Sequence, residues 1–263
     1  MLGICLHHRH VLAGMAWRSL LGGRTGQSGG LFWVFAQPLI YIAINLTVFI
    51  TLFRSRIEIN GIIHEDYEVF ALTGMIPWLL FADALGRAGS VVRDGRSLIR
   101  HGANLPPELI PMASLLAQSV PFLAQMALLS VWVGASYSVP LINWLILLGA
   151  LALTAVMLTG ITLLLAPLGA RMRWLGEVIR IYCVVGIYLC PVFYTGEQMP
   201  ESLRLVMALN PATYLIQTFR DALFLRQAPH WESWAVMATL ALLVYLAGRV
   251  IFTRSASHLA DLL

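Results

Sequence analysis

The stretch CPVFYTGEQMPESLRLVMALNPATYLIQTFRDALF, residues 190–224, decides how this chain is folded. It lies between two hydrophobic segments and contains the apolar runs LRLVMAL and TYLIQTF. Its prolines, its glycine and its charged residues prevent it from crossing a bilayer as a single helix. Non-helical backbone is tolerated at membrane depth where protein buries it or where it lines a cavity. The stretch therefore predicts a segment that dips into the outer membrane interface and returns, beside a cavity between helices.

The composition indicates an integral membrane protein with a single domain. Of the 263 residues, 59% are hydrophobic and 11% are charged, whereas soluble domains carry about 25% charged residues. All 17 basic residues are arginine, and the sequence contains no lysine. The phosphate-binding loop of ATPases needs a lysine that reaches the β- and γ-phosphates. The chain is therefore not expected to hydrolyse ATP by that route, and a Schiff-base lysine is excluded for the same reason.

Six segments are long and apolar enough to cross a hydrocarbon core of about 30 Å, so the predicted fold is an all-α membrane protein with six transmembrane helices. The segments are roughly 31–53, 68–92, 108–134, 141–168, 175–195 and 232–252. Twelve of the arginines lie in the connections on one side and five in those on the other. Cytoplasmic connections are the ones enriched in arginine, so both termini are predicted in the cytoplasm. Several acidic residues, Asp221 among them, are predicted on the outer side.

Residues 4–24 mix apolar side chains with histidine and arginine, which predicts an amphipathic helix on the cytoplasmic interface. The polar face of this helix explains His7, His8 and His10 better than a metal site does, because no carboxylate or cysteine accompanies them. We therefore expect no metal in this chain.

Buried charge is scarce in the predicted spans. Asp83 is the clear candidate, and Arg87 follows it by four residues, which places the two on one helix face as an expected ion pair. We interpret the pair as a packing feature near the cytoplasmic end of the span. A proton relay would need a second buried acid.

The cytoplasmic connection 93–107 has a short helical centre over 96–101, and two prolines then open the next helix. Leu98 and Ile99 lie among arginines on the cytoplasmic side. From the residues alone, the connection fits two interpretations equally: an arginine-rich anchor at the membrane surface, or a docking element for a cytoplasmic partner.

Aromatic residues are concentrated in the first, second and fifth spans. Interfacial belts are the common explanation for tryptophan and tyrosine in membranes, but Tyr182 and Tyr188 lie deeper than the ends of the fifth span. Aromatic faces stack on sugar rings without fixed charge. The candidate path-lining residues are Phe32, Phe35, Tyr41, Trp78, Phe81, Tyr182, Tyr188 and Tyr194.

Four groups of motifs, in order along nearly the whole chain, resemble the membrane subunits of ABC-2 type exporters. These are GLFW…QPL (30–39), LTGMIPWLLFADALGR (72–87), SLIR…LPPELIP (97–111), and CPVFY, MP and LNP between 190 and 211. They are most similar to the polysaccharide-export branch, which includes capsule, O-antigen and teichoic acid permeases. The order, the spacing and the placement of the motifs relative to the six spans carry the resemblance.

The resemblance implies one transmembrane domain over 1–263, in the bacterial inner membrane. Two copies would form the pore, and each would bind a separate nucleotide-binding ATPase that holds ATP and Mg²⁺. This chain would hold no cofactor, perform no chemistry and bind no nucleic acid. The cargo would be a lipid-linked polysaccharide such as capsule or O-antigen, and the further partners would be membrane lipids and periplasmic export components.

The same resemblance assigns roles to three regions. The 93–107 connection would be the loop with the coupling helix that docks on the ATPase, through Arg93, Arg96, Ser97, Leu98, Ile99, Arg100, His101 and Asn104. The resemblance also implies a second ATPase contact at Arg171 and Arg173, although the acidic residue that often follows arginine in the family is missing here. Residues 190–230 would form the outer gate helices, with Pro191, Met199, Pro200, Asn210 and Pro211 at their turns, and the aromatic residues would line the polymer path.

Three alternatives are kept open. An ABC-2 exporter of a small lipid, a drug or haem would share the fold. An ion-coupled secondary transporter would need buried acids and usually inverted repeats. An intramembrane transferase would need clustered acids or a histidine-rich site near the interface.

Overall fold

The fold is helical, with one small β-hairpin. The structure is a computed structural model that describes residues 7–21, 30–48, 51, 57–59, 62–64, 66–94, 106–172, 174–225 and 229–259. The helices are α1 (Arg9–Leu21), α2 (Gly30–Thr47), α3 (Tyr67–Ala88), α4 (Val91–Asp94), α5 (Leu109–Ser136), α6 (Leu141–Arg171), α7 (Leu175–Leu189), α8 (Glu201–Leu209), α9 (Pro211–Arg220) and α10 (Trp231–Leu259). A 3₁₀ turn covers Gly196–Gln198, and a π-helical turn covers Asp221–Leu225.

Five of the described helices are long and apolar enough to cross a membrane: α2, α3, α5, α6 and residues 231–255 of α10. The fifth predicted span, 175–195, is different. Its helix α7 has 15 residues and ends at Leu189, and the backbone is extended at Cys190. At about 1.5 Å per residue this helix is near 22 Å long, which is less than the thickness of a hydrocarbon core.

The hairpin pairs strand β1 (Ile57–Ile59) with strand β2 (Ile62–His64) in antiparallel register, so that Ile57 faces His64. The all-α fold predicted from the sequence includes no strand here. Isoleucines in both strands favour pairing, because β-branched residues suit the pleated backbone.

Helix α3 lies at the centre of the helices and contacts α5, α6, α7 and α9. Its rings fill the main core, where Phe70, Trp78 and Phe81 are each at most 2% exposed. Helix α2, in contrast, contacts α1 and α3 and leaves most of its apolar surface uncovered.

Helices α6 and α10 pack with their backbones in contact at two glycines. A Cβ at Gly160 would lie 2.5 Å from the backbone nitrogen of Tyr245, and a Cβ at Gly248 would collide with the carbonyl oxygen of Gly160. Small residues let membrane helices approach this closely, and packing then replaces the hydrophobic effect as the source of association. Larger residues at these two positions would force the helices apart.

A second apolar cluster forms where α1 meets the rest of the chain. Leu12 is buried there, and Met15, Ala16 and Leu20 are half-buried on the same side of α1, at the 3- and 4-residue spacing of one helix face. The cluster also contains Val92, in α4, together with Leu109 and Phe252. The predicted N-terminal helix therefore exists over Arg9–Leu21, and its apolar face lies against the protein.

Candidate functional site

The candidate site is the region between α7 and α10, where the chain folds into short pieces. Cys190 and Val192 are fully buried, so this non-helical backbone is covered by protein. After the 3₁₀ turn, α8 begins directly behind Pro200, and none of its described residues is buried. The sequence analysis predicted gate helices over 190–230, and two short helices, α8 and α9, occupy this range.

Asn210 joins three parts of this region. Its side-chain oxygen Oδ1 accepts hydrogen bonds from the backbone N–H of Ala212 at 3.1 Å and from the hydroxyl of Tyr182 at 2.8 Å. Its amide Nδ2 donates to Sγ of Cys190 at 3.1 Å. Asparagine is a strong N-cap, and proline is favoured at the next position, so Asn210-Pro211 starts α9 and ties that start to α7.

Arg220, at the end of α9, is a buried cation that the sequence analysis did not single out. It is 4% exposed, its Nη2 donates to the carbonyl oxygen of Val192 at 2.8 Å, and its guanidinium lies 3.6 Å above the ring centre of Phe70. Gly74 leaves the space that Arg220 and Val192 occupy. Burial lowers the pKa of this guanidinium below its usual range, and the nearby Tyr67 opposes that shift. Carbonyl and ring together stabilise the charge.

Asp221 follows directly, and its fully buried carboxylate accepts four hydrogen bonds. The donors are Nε2 of Gln217 at 3.0 Å, Nε1 of Trp234 at 2.9 Å, the backbone N–H of His230 at 3.0 Å and Nδ1 of the same histidine at 2.7 Å. Asp221 therefore fixes the beginning of α10. The sequence analysis predicted it only as one of several acids on the outer side, without partners.

Asn143 secures the same turn from the side of α6. Its Nδ2 donates to the carbonyl oxygens of Asp221 and Ala222, each at 3.2 Å. Backbone carbonyls in a π-turn lack regular α-helical partners, and a buried unpaired carbonyl costs free energy. The side chain of Asn143 supplies the missing donor.

The other predicted turn residues lie where the chain changes direction. Met199 is 7% exposed, and its carbonyl oxygen accepts from Nε of Arg204 at 3.1 Å. Pro191 is buried immediately after the end of α7, while Pro200 is exposed ahead of α8.

The predicted path aromatics fall into two groups. Trp78 and Phe81 are 2% exposed and pack with Tyr182, with ring centres 5.8 to 6.5 Å apart. Gly186 leaves room for Trp78, since a Cβ there would lie 2.5 Å from its ring. These rings fill the contact between α3 and α7, so within one copy Trp78 and Phe81 face packed protein and not a path.

The second group of aromatics is accessible. Phe32 and Tyr188 are more than half exposed, Tyr41 is 39% exposed, and Phe35 and Tyr194 are half-buried. The hydroxyl of Tyr194 donates to the backbone carbonyl of Tyr188 at 2.7 Å.

Exposed apolar residues lie on most of the long helices, and two of these faces, on α7 and α2, also carry predicted path aromatics. On α7 the exposed residues recur every three to four positions, on one side: Val178, Ile181, Val184, Val185 and Tyr188. On α2 they are Leu31, Phe32, Trp33, Leu39, Ile40 and Ile44. Exposed apolar surface of this extent in a membrane chain is covered by lipid or by another subunit.

The expected ion pair between Asp83 and Arg87 is not formed. Among the described residues, Arg180 forms an ion pair with Glu177, and the imidazole of His230 lies 2.7 Å from the carboxylate of Asp221. Asp83 and Arg87 instead each line two cavities on either side of α3. Their spacing puts them on one helix face, but their side chains do not meet.

Most of the predicted ATPase-coupling residues lie outside the described residues. These are Arg96, Ser97, Leu98, Ile99, Arg100, His101, Asn104 and, in the second contact, Arg173. The backbone of Arg93 lies in α4, and Arg171 is exposed at the end of α6.

The chain matches a known family and several curated proteins. The family described as "ABC-2 type transporter" matches residues 11–224. An O-antigen export system permease protein RfbA of Klebsiella pneumoniae is 22% identical over 89% of this chain and 87% of its own. A protein of the same name from Myxococcus xanthus is 22% identical over 97% and 95%. The polysialic acid transport protein KpsM of Escherichia coli is 21% identical over 88% of each.

Proposed function

The chain belongs to the ABC-2 type transporter family, and on that basis we propose that it is the membrane subunit of an ATP-driven exporter that moves a lipid-linked polysaccharide across the bacterial inner membrane. The observation that carries the proposal is the similarity, over nearly the full length of each chain, to permeases named for O-antigen and polysialic acid export. The long apolar helices make it a multi-pass membrane protein.

The proposed topology has six crossings with both termini in the cytoplasm. Helix α7 is short, and residues 190–195 complete its crossing in non-helical form. This arrangement is supported by the burial of Cys190 and Val192, because non-helical backbone needs protein cover at membrane depth. Helices α8 and α9 then form a re-entrant outer gate, and the arginine bias of the connections supports the orientation.

The proposed pore lies between two copies of the chain. Its support is that the exposed apolar faces of α2 and α7 carry predicted path aromatics that are accessible, namely Phe32, Tyr41 and Tyr188. In a dimer these faces meet or border the path, and the rings offer stacking surfaces to sugars. We assign Trp78 and Phe81 to packing, because they are buried within one copy.

The ATPase partner is proposed to dock on the 93–107 loop. Helix α4 leads into this loop, and its Val91 and Val92 are buried in the cluster that also contains Leu12 and Phe252. A displacement of the loop would therefore act on α1, α5, α6 and α10 together. In this proposal the chain forms the path of the polymer, and the partner binds ATP and Mg²⁺ and hydrolyses the ATP.

Two experiments test the proposal. The identity of the cargo is tested by deleting the chain and measuring surface glycan. The identity of the partner is tested by purifying the chain from native membranes. We expect the deletion to remove a surface polysaccharide and the purified chain to bring an ATPase and a glycan with it. Recovery of an ATPase with unchanged surface glycan would favour the exporter of a small lipid, drug or haem. Normal export without any ATPase partner would refute the proposal.

A further inference from the structure

A cavity of about 340 Å³ lies between α1, α2, α3 and α5, away from the gate region. Ser19 of α1 lies at one end, and Gln125 of α5 lies sixteen residues beyond the start of that helix. At about 1.5 Å per residue, Gln125 is about 24 Å from that start, near the middle of the 28-residue helix. The cavity therefore reaches from the N-terminal helix deep into the bundle.

Two buried amide oxygens in this cavity have no hydrogen-bond donor. Gln118 and Gln125 are each 7% exposed and both line the cavity, and their Oε1 atoms are unpartnered. The orientation of Gln118 is fixed, because its Nε2 donates to the carbonyl oxygen and the hydroxyl of Ser114 at 3.0 and 3.1 Å. Seven residues apart on one helix, the two amides share a face about two turns apart.

Two prolines add further acceptors to the same walls. Pro38 in α2 and Pro121 in α5 both line the cavity. Proline has no N–H, so the carbonyl four residues earlier does not receive its usual helical hydrogen bond. Those carbonyls belong to Val34 and Ala117, which also line the cavity. The walls therefore offer backbone acceptors in addition to the two amide oxygens.

The charges in the cavity favour an uncharged ligand. Asp83 and Arg87 both line it, one of each sign, so their formal charges cancel. Because the two charges oppose each other, neither a cation nor an anion gains a clear electrostatic advantage. A neutral ligand with several hydroxyl groups supplies the missing donors, and the Tyr41 ring at the wall offers a stacking face.

We propose that this cavity binds sugar units of the exported glycan within one copy of the chain. Gln118 and Gln125 accept hydrogen bonds from the hydroxyl groups of the sugars. The inference rests on the proposed polysaccharide export and adds a binding site inside the subunit. Because two amide acceptors lie two turns apart, linked sugars can engage both, and a single small group engages one.

Photocrosslinking in cells that make the polymer tests the site. The crosslinker p-benzoylphenylalanine replaces Tyr41, an aromatic residue at the cavity wall, and adducts are identified by mass spectrometry. A matched control carries it at Leu128, which is 63% exposed on α5. We expect a carbohydrate adduct at position 41 and none at 128. In the background Gln118→Leu/Gln125→Leu the adduct should fall about tenfold, since two hydrogen bonds are lost.

Three outcomes would overturn the inference. They are a phospholipid adduct without sugar, no adduct above the Leu128 control, and a sugar adduct whose yield is unchanged in the Gln118→Leu/Gln125→Leu variant. If the double variant does not reach the membrane, Gln125→Met replaces it as a nearly isosteric apolar change. Surface polymer is measured in the deletion strain in parallel. If the polymer requires the chain but the adduct holds no sugar, this site alone is refuted. If the polymer does not require the chain, the proposed function fails as well.

Discussion

The hydroxyl of Tyr182 donates a 2.8 Å hydrogen bond to Oδ1 of Asn210, and Nδ2 of that asparagine reaches Sγ of Cys190 at 3.1 Å. One side chain thus joins the middle of α7, the turn at its end and the start of α9. Tyr182 was expected to face the polymer path. Its hydroxyl instead has a structural partner, which makes it a support of the outer region.

Tyr182→Phe should loosen this turn while leaving the ring packing intact. Loss of one partly buried hydrogen bond costs about 1 kcal/mol, so Cys190, now fully buried, should react severalfold faster with a maleimide. The measurement uses a chain in which Cys5 and Cys183 are serine. Tyr188→Phe is the matched control, since its ring is exposed. Equal rates in both variants would contradict the support role.

Arg220→Met should destabilise the protein by about 1–3 kcal/mol, because the carbonyl of Val192 loses its donor. Arg220→Lys should recover only part of this loss, since an ammonium lacks the planar group that lies over Phe70. Thermal unfolding of the purified protein measures both. Arg180→Lys, at a side chain 73% exposed, serves as the control. Wild-type stability in Arg220→Met would rule out a stabilising contact.

Asp221→Asn should weaken the attachment of α10, because an amide presents an N–H₂ where the carboxylate accepts from several donors. We expect a loss of about 2 kcal/mol and faster proteolysis after α9. Trp234→Phe, which removes one donor, should cost less. Glu201→Gln provides an exposed carboxylate control. A smaller effect in Asp221→Asn than in Trp234→Phe would argue against this arrangement.

Leu98→Asp together with Ile99→Asp should abolish export while the chain still inserts into the membrane. Two charges would replace the apolar residues proposed to dock on the ATPase, and such buried contacts dominate binding energy. Co-purification of the ATPase and surface glycan are the two readouts. Arg254→Ser, near the other end of the chain, is the control. Export at the wild-type level would refute the coupling assignment.

Val184→Cys in a cysteine-free chain should form disulfide-linked dimers on mild oxidation. Val184 is 66% exposed in the middle of the apolar face of α7, where the second copy is proposed to lie. Leu145→Cys, 58% exposed on α6, should remain monomeric. Dimers from Leu145→Cys but not from Val184→Cys would place the contact between copies elsewhere.

The sequence predicted the broken segment after α7 and the turn at Asn210, because proline, asparagine and glycine act locally on the backbone. It did not predict the roles of Arg220 and Asp221. An adjacent arginine and aspartate look like solvated surface residues, and their partners, such as Val192 and Trp234, come from other segments. Whether these two side chains are buried depends on how the other segments pack around them in the fold.

For the same reason, the sequence could not establish whether Trp78 faces a path. It also could not establish whether Asp83 pairs with Arg87. Helical spacing fixes the face on which a residue lies. It does not fix what covers that face, or which rotamer the side chain takes. Trp78 is covered by α7 at Gly186, and Asp83 and Arg87 turn to cavities instead of to each other.

The backbone contact between Gly160 and Gly248 brings α6 and α10 closer together than larger residues would allow. Because helices in such contact resist sliding, we expect α6 and α10 to move as one unit during a transport cycle. The rearrangement that admits and releases cargo then falls on α2 and α7, which have fewer neighbours within one copy. A glycine-to-alanine change at position 160 would disturb the packing of α6 on α10 and leave the residues of α2 and α7 unchanged.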